Sequence, residues 1–115
     1  DIAMHLLGGI AIAYFLWRAG YLALQAGVIG AVNRTGLRVM VFGLTCAAAV
    51  IWECAEYLSD RYFGTRAQLG LADTLGDMVV GIMGGIAFLA GVRLLRGEVP
   101  LPTSSAARTD PRLGG

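Results

Sequence analysis

One imidazole and six carboxylates hold the chemistry open to this chain. His5 is the only histidine, and Asp1, Glu53, Glu56, Asp60, Asp73 and Asp77 are six of the eight acidic residues. All of them sit at the ends of long apolar runs. Ionisable groups at or just inside a bilayer cost several kcal/mol unless they are paired, hydrated or bound to a cation, so their presence there points to a functional site. An oxygen-rich set with one imidazole suits a divalent cation. The carboxylates favour Mg, Mn or Ca, and the imidazole admits Zn or Fe. The expected metal-ligating set is Asp1, His5, Glu53, Glu56, Asp73 and Asp77. A two-histidine di-iron bundle has no support from a chain with a single histidine. Triad-type nucleophilic catalysis lacks its base, because neither Ser59 nor Thr74 has a second histidine to serve it.

The spacings favour convergence. Asp1 to His5, Glu56 to Asp60 and Asp73 to Asp77 are four apart, and Glu53 to Glu56 three apart, so each pair shares a helical face. Gathered carboxylates would repel strongly in a reduced dielectric, which protons, arginines or a cation must offset. Purely structural roles compete with this reading. Asp73 suits a helix cap, Glu56 or Asp60 could pair with Arg61 or Arg66, and Trp52 suits an interfacial anchor. A proton relay is the weakest alternative, since the middle of each apolar run lacks ionisable residues.

The elements that must carry these residues read as membrane helices. Hydrophobic residues make up 57% of the 115 and charged residues 15%, with a mean hydropathy of +0.67, whereas soluble domains average about 45–50% apolar and about 25% charged. The run from Ile2 to Trp17 is short for a span, and the apolar character continues beyond Arg18 to Val32. The first helix is therefore expected to extend past Arg18 or to break there, with a separate second span as the minority alternative. Leu37 to Tyr57 is long enough to span, and Ala72 to Leu95 supplies the third span. The segment 58–71 is a polar interfacial loop with Gly64 and Gly70 as breakers. The fold expected is an all-α integral membrane bundle of three transmembrane helices over 1–95. A Pro-, Ser- and Arg-rich tail over 96–115 buries too little surface to fold alone.

Small residues mark helix contacts. Gly81 and Gly85 form a GxxxG pair, continued by Ala87 and Gly91, with Gly8, Gly9 and Ala13 as a candidate opposing surface. Cys46 and Cys54 lie about 12 Å apart along one helix, too far for a disulfide, and read as free. The chain opens at Asp1 with neither an initiator Met nor a basic leader, which suggests the remainder of a longer polypeptide. All nine basic residues are arginine and the net charge is +1, which gives no reason to expect nucleic-acid binding. Seven of the nine, namely Arg18, Arg34, Arg38, Arg93, Arg96, Arg108 and Arg112, fall on the side of the first connection and the tail. The positive-inside rule then places the C-terminus in the cytoplasm of a bacterial inner membrane.

The order Asp1-x-x-x-His5-x-x-Gly8-Gly9, Trp52-Glu53-x-x-Glu56 and Asp73-Thr74-x-x-Asp77-Met78, running into a glycine-rich helix, resembles the YjdF-like membrane proteins and, more distantly, the VanZ-like proteins. The resemblance covers about residues 1–90. It implies a small polytopic bacterial membrane protein whose motif acids gather at one membrane face. The VanZ-like pattern, associated with glycopeptide resistance, tends to carry an Asn and a Gln where this chain has Asp77 and Glu56, so the YjdF-like pattern is the closer one.

Two functions follow as expectations. The first is an accessory subunit that packs into a larger membrane complex, through the face of Gly81, Gly85 and Gly91 and through the 96–115 tail, with membrane lipids around it. The alternative is a divalent-metal-dependent enzyme acting on a lipid-linked or phosphorylated substrate. The arginine distribution makes a direct prediction. A C-terminal reporter that is active only in the cytoplasm should be active, and one that is active only outside should be silent; the reverse result would invert the topology.

Overall fold

The computed structural model describes residues 2–95. Asp1 and the expected 96–115 tail lie outside the described residues. Three helices follow one another, α1 (Ile2–Gln25), α2 (Arg34–Phe63) and α3 (Leu71–Leu95). Their 24, 30 and 25 residues give lengths of about 36, 45 and 38 Å, against a hydrocarbon core of about 30 Å. All three are long and apolar enough to cross a membrane. The architecture is an all-α membrane bundle.

Helix α1 runs unbroken through Arg18 to Gln25, so the extended form of the first helix is the one observed. Nothing at Arg18 breaks the backbone ladder, and the stop comes later from glycine. Gly27 takes a positive φ of 70°, the Val28 amide donates to the Ala23 carbonyl at 2.9 Å and the Gly27 amide to the Leu24 carbonyl at 3.2 Å. This is a Schellman ending, which satisfies carbonyls left over by the last turn. Asn33 then caps α2, its side-chain oxygen accepting from the Gly36 amide at 2.7 Å. Gly64, in the left-handed region at φ 66°, closes α2.

Each helix carries one stripe that faces the others, with steps of mostly three, four or seven residues. On α1 the stripe is His5, Gly9, Ala13, Gly20 and Leu24. On α2 it is Leu37, Val41, Thr45, Ala49 and Glu53, and on α3 it is Asp77, Gly81, Gly84 and Gly85. His5 meets Glu53 near one end and Gly20 meets Leu37 near the other, so α2 runs antiparallel to α1. Gly9 lies against Gly81 and the Tyr14 ring stands edge-on to Phe88 at 6.0 Å, so α3 runs parallel to α1.

The α1–α3 contact is the most extensive in the bundle, and its closeness depends on glycine. A Cβ on Gly9 would overlap the Gly81 carbonyl oxygen, and one on Gly84 would overlap the Leu6 carbonyl oxygen. Gly85 takes the methyl of Thr45, with a built Cβ only 2.7 Å from Thr45 Cγ2. The Thr45 hydroxyl, buried in this contact, donates to the Val41 carbonyl at 2.8 Å. The buried apolar core, Ala13, Leu24, Leu37 and Val41, occupies the half of the bundle away from His5. Large apolar side chains such as Leu7, Phe15, Val39 and Ile51 are exposed, as lipid-facing positions require.

The tight positions on α3 are thus Gly84 and Gly85, while a Cβ on Gly81 would make ordinary contacts at 3.7 and 3.8 Å and one on Gly91 would meet nothing within 4 Å among the described residues. Gly81 and Gly85 are covered by the chain's own helices, which leaves Gly91 as the open member of the face expected for a partner. Gly9→Val and Gly84→Val should therefore each destabilise the bundle by about 1–3 kcal/mol in micelle unfolding, because backbone must move to admit the side chain. Gly91→Ala should stay within about 0.5 kcal/mol of the parent.

Candidate functional site

Three charged or ionisable side chains, one from each helix, meet near one end of the stripes. His5 lies in the second turn of α1, Asp77 in the second turn of α3, and Glu53 in the C-terminal half of α2. The imidazole stands between the two carboxylates, with His5 Nδ1 3.3 Å from Asp77 Oδ1 and His5 Nε2 3.7 Å from Glu53 Oε1. One ligand atom from each residue falls within 4.8 Å of the others. All three are enclosed, with side-chain exposures of 10% for His5, 5% for Glu53 and 10% for Asp77.

Their meeting follows from the stripes. His5 precedes Gly9 by one turn, Asp77 precedes Gly81 by one turn, and Glu53 follows Ala49 by one turn. The glycine contact that draws α1 onto α3 therefore brings their polar residues together one turn along. Glu53 is held in turn by the loop between α2 and α3. Gln68 Nε2 donates to the Glu53 carbonyl at 2.9 Å and to Glu53 Oε2 at 3.3 Å. The other carboxylate oxygen, Glu53 Oε1, is buried and has no hydrogen-bond partner among the described residues.

The remaining expected ligands are placed elsewhere. Glu56 lies one turn beyond Glu53, where Oε1 accepts from the indole of Trp52 at 2.8 Å on an exposed face of α2. Asp73 sits in the first turn of α3 and reaches back to the Leu69 amide at 3.2 Å, which satisfies a backbone donor at a helix start. Asp60 organises the loop. Its carboxylate accepts from the Thr65 hydroxyl, from the Ala67 amide at 2.8 Å and from the Gln68 amide at 3.0 Å. Asp1 lies outside the described residues. Of the six, the structure brings together His5, Glu53 and Asp77.

Gln68 is the residue of the candidate site that the sequence alone did not single out. Its sole signal is an amide in a short polar segment between two glycine breakers, and nothing in that segment shows that the loop folds back over α2. Asp60 supplies the reason, by accepting the backbone N–H groups of Ala67 and Gln68 and so aiming the Gln68 side chain at Glu53.

Two cavities adjoin the centre, and Glu53 lines both. The first, about 270 Å³, lies between α1 and α2 and reaches His5 and Asp77; its walls include Gly8, Ala11, Ala48, Ala49 and Trp52. The second, about 730 Å³, opens beside the loop and is lined in part by Tyr57, Arg61, Gln68 and Thr74.

Three spanning helices around an enclosed polar centre define a multi-pass integral membrane protein. Residues 1–97 match the family described as "Predicted membrane protein (DUF2238)", and the chain belongs to that family. No curated protein and no solved structure matches it.

The loop arrangement is open to a direct check. Asp60→Ala removes the acceptor shared by Thr65, Ala67 and Gln68, and trypsin should then cut after Arg66 markedly faster than in the parent. An unchanged rate would mean that the loop is held by other contacts.

Proposed function

We propose that this protein binds a divalent cation on His5, Glu53 and Asp77, enclosed within a three-helix membrane bundle. The observation that carries the proposal is the buried Glu53 Oε1, aimed at the imidazole and without a hydrogen bond among the described residues. At 3.7 Å the ring nitrogen is beyond hydrogen-bond reach of that oxygen. Two carboxylates gathered around one imidazole concentrate negative charge in an apolar surround, which is costly without compensation. A divalent cation matches that charge and takes the bare oxygen as a ligand. One ligand atom from each of the three residues lies within 4.8 Å of the other two, close enough for all three to close on one small ion. One imidazole nitrogen would bind the ion.

So few protein donors leave coordination positions open, which is the arrangement of catalytic rather than purely structural metal sites. The centre therefore supports the reading of a metal-dependent membrane enzyme for a lipid-linked or phosphorylated substrate. His5, Glu53 and Asp77 come from the three motifs that carry the YjdF-like resemblance, one from each. The arginine distribution supports a bacterial inner-membrane location with the C-terminus in the cytoplasm. An accessory-subunit role keeps for support the open Gly91 on α3 and the exposed apolar side chains, which lipid also satisfies; the 96–115 tail lies outside the described residues.

Protein purified in detergent should carry a stoichiometric divalent ion by elemental analysis. His5→Ala, Glu53→Gln and Asp77→Asn should each lose it, while Glu56→Gln and Asp73→Asn should keep it. Metal content that is nil in the parent, or equal in all five variants, would remove the proposal.

A further inference from the structure

The cavity between α1 and α2 is left open by residue size, and its chemistry changes along its length. Gly8, Ala11, Ala48 and Ala49 form much of its walls, with nothing longer than a methyl group, and a Cβ on Gly8 would meet no atom within 4 Å. One residue further, Gly9 is jammed against the Gly81 backbone. The chain thus closes α1 on α3 and holds α1 away from α2 along this stretch. Met4 and Trp52 also line the cavity and are 58% and 53% exposed, on helices whose outer faces meet the bilayer. The inner end is His5, Glu53 and Asp77.

An apolar slot that opens between two candidate spans and ends at a polar centre fits an amphiphile entering from the side. The head it takes is set by charge. Bare, the two carboxylates repel an anion; holding a divalent ion with open positions, the same centre attracts phosphate oxygens. Beyond Glu53, the second cavity adds the Arg61 guanidinium, the Thr74 hydroxyl and the Gln68 amide on the loop side, where a charged head can remain partly hydrated.

We infer that the α1–α2 slot receives an acyl chain of a lipid phosphate from the bilayer and places its phosphate on the cation held by His5, Glu53 and Asp77. This rests on the cation reading above and names its ligand class. Occupancy is consequently cation-dependent, and it depends on the open space beside Gly8. A larger residue at Gly8 fills the slot without disturbing the glycine contact that holds the bundle, so the slot can be blocked in a folded protein.

The test uses Trp17→Phe protein, in which Trp52 at the edge of the slot is the sole tryptophan. It is reconstituted in phosphatidylcholine vesicles containing bromine-labelled phosphatidic acid, phosphatidylcholine or diacylglycerol at equal mole fraction, with metal content measured on the same samples. Brominated phosphatidic acid should quench Trp52 severalfold more than the other two, and EDTA should abolish the difference. Gly8→Leu should keep its metal and lower the preference for phosphatidic acid about tenfold, the effect of displacing roughly two methylenes from a buried site. Soluble glycerol phosphate, with the head but no chain, should not compete at comparable concentration.

Equal quenching by all three lipids in metal-loaded protein, or a preference that Gly8→Leu leaves intact, would overturn the lipid inference and leave the cation site standing. Diacylglycerol matching phosphatidic acid would overturn the phosphate assignment. Full competition by glycerol phosphate would show a site for free phosphate esters and overturn the role of the chain. Parent protein without metal fails the earlier proposal itself.

Discussion

The glycine contact between α1 and α3 is the constraint on which the rest of the bundle depends. Lipid tails are as apolar as leucine, so burying apolar surface gives helices in a bilayer little reason to associate, and close packing has to supply it. Gly9 and Gly84 let the two backbones approach until the carbonyl groups of Gly81 and Leu6 touch them. Thr45 then lays its methyl against Gly85 and brings α2 onto the same seam. A single side chain at Gly9 or Gly84 would wedge the helices apart, and every residue further along the stripes would lose its neighbour.

The polar centre is the first thing that seam positions. His5, Glu53 and Asp77 each lie one turn from a small residue in the contact, so the distances among them are set by helix geometry rather than by side-chain choice. Their burial in an apolar surround is expensive on its own account. A buried charged group is tolerated where an opposite charge and good hydrogen bonds meet it, and here Gln68 satisfies one oxygen of Glu53 while the other stays bare. Asp60, outside the centre, contributes through the loop that carries Gln68, which gives the polar segment between α2 and α3 a defined task.

The carboxylates that stay out of the centre show why shared helical faces alone did not identify its members. Glu56 and Asp73 are each one turn from a centre residue, yet both find closer partners on their own helix or its approach. The Trp52 indole holds Glu56, and the Leu69 amide holds Asp73. Local donors within one turn compete well with a distant cluster because they need no second helix to be in place. The same logic explains Gly91. It continues the small-residue pattern of α3, but among the described residues it lines a cavity with Tyr14 and Trp17 of α1 instead of meeting a glycine there.

The amino-acid sequence by itself determined the class of the fold. Three apolar runs of spanning length, separated by glycine-bearing polar segments, admit few arrangements in a bilayer, because backbone groups there must be satisfied within helices. It also put the described histidine and carboxylates, His5, Glu53, Glu56, Asp60, Asp73 and Asp77, toward one end, since they occur near run ends that an up-down-up path brings to the same face. Tertiary structure alone decided which of them meet. Membership of the centre depends on the rotation of each helix about its axis and on how closely the backbones approach. Those are set by contacts such as Gly9 with Gly81 and by a loop folded through Asp60, each joining residues far apart in the chain, so no local pattern of spacing encodes them.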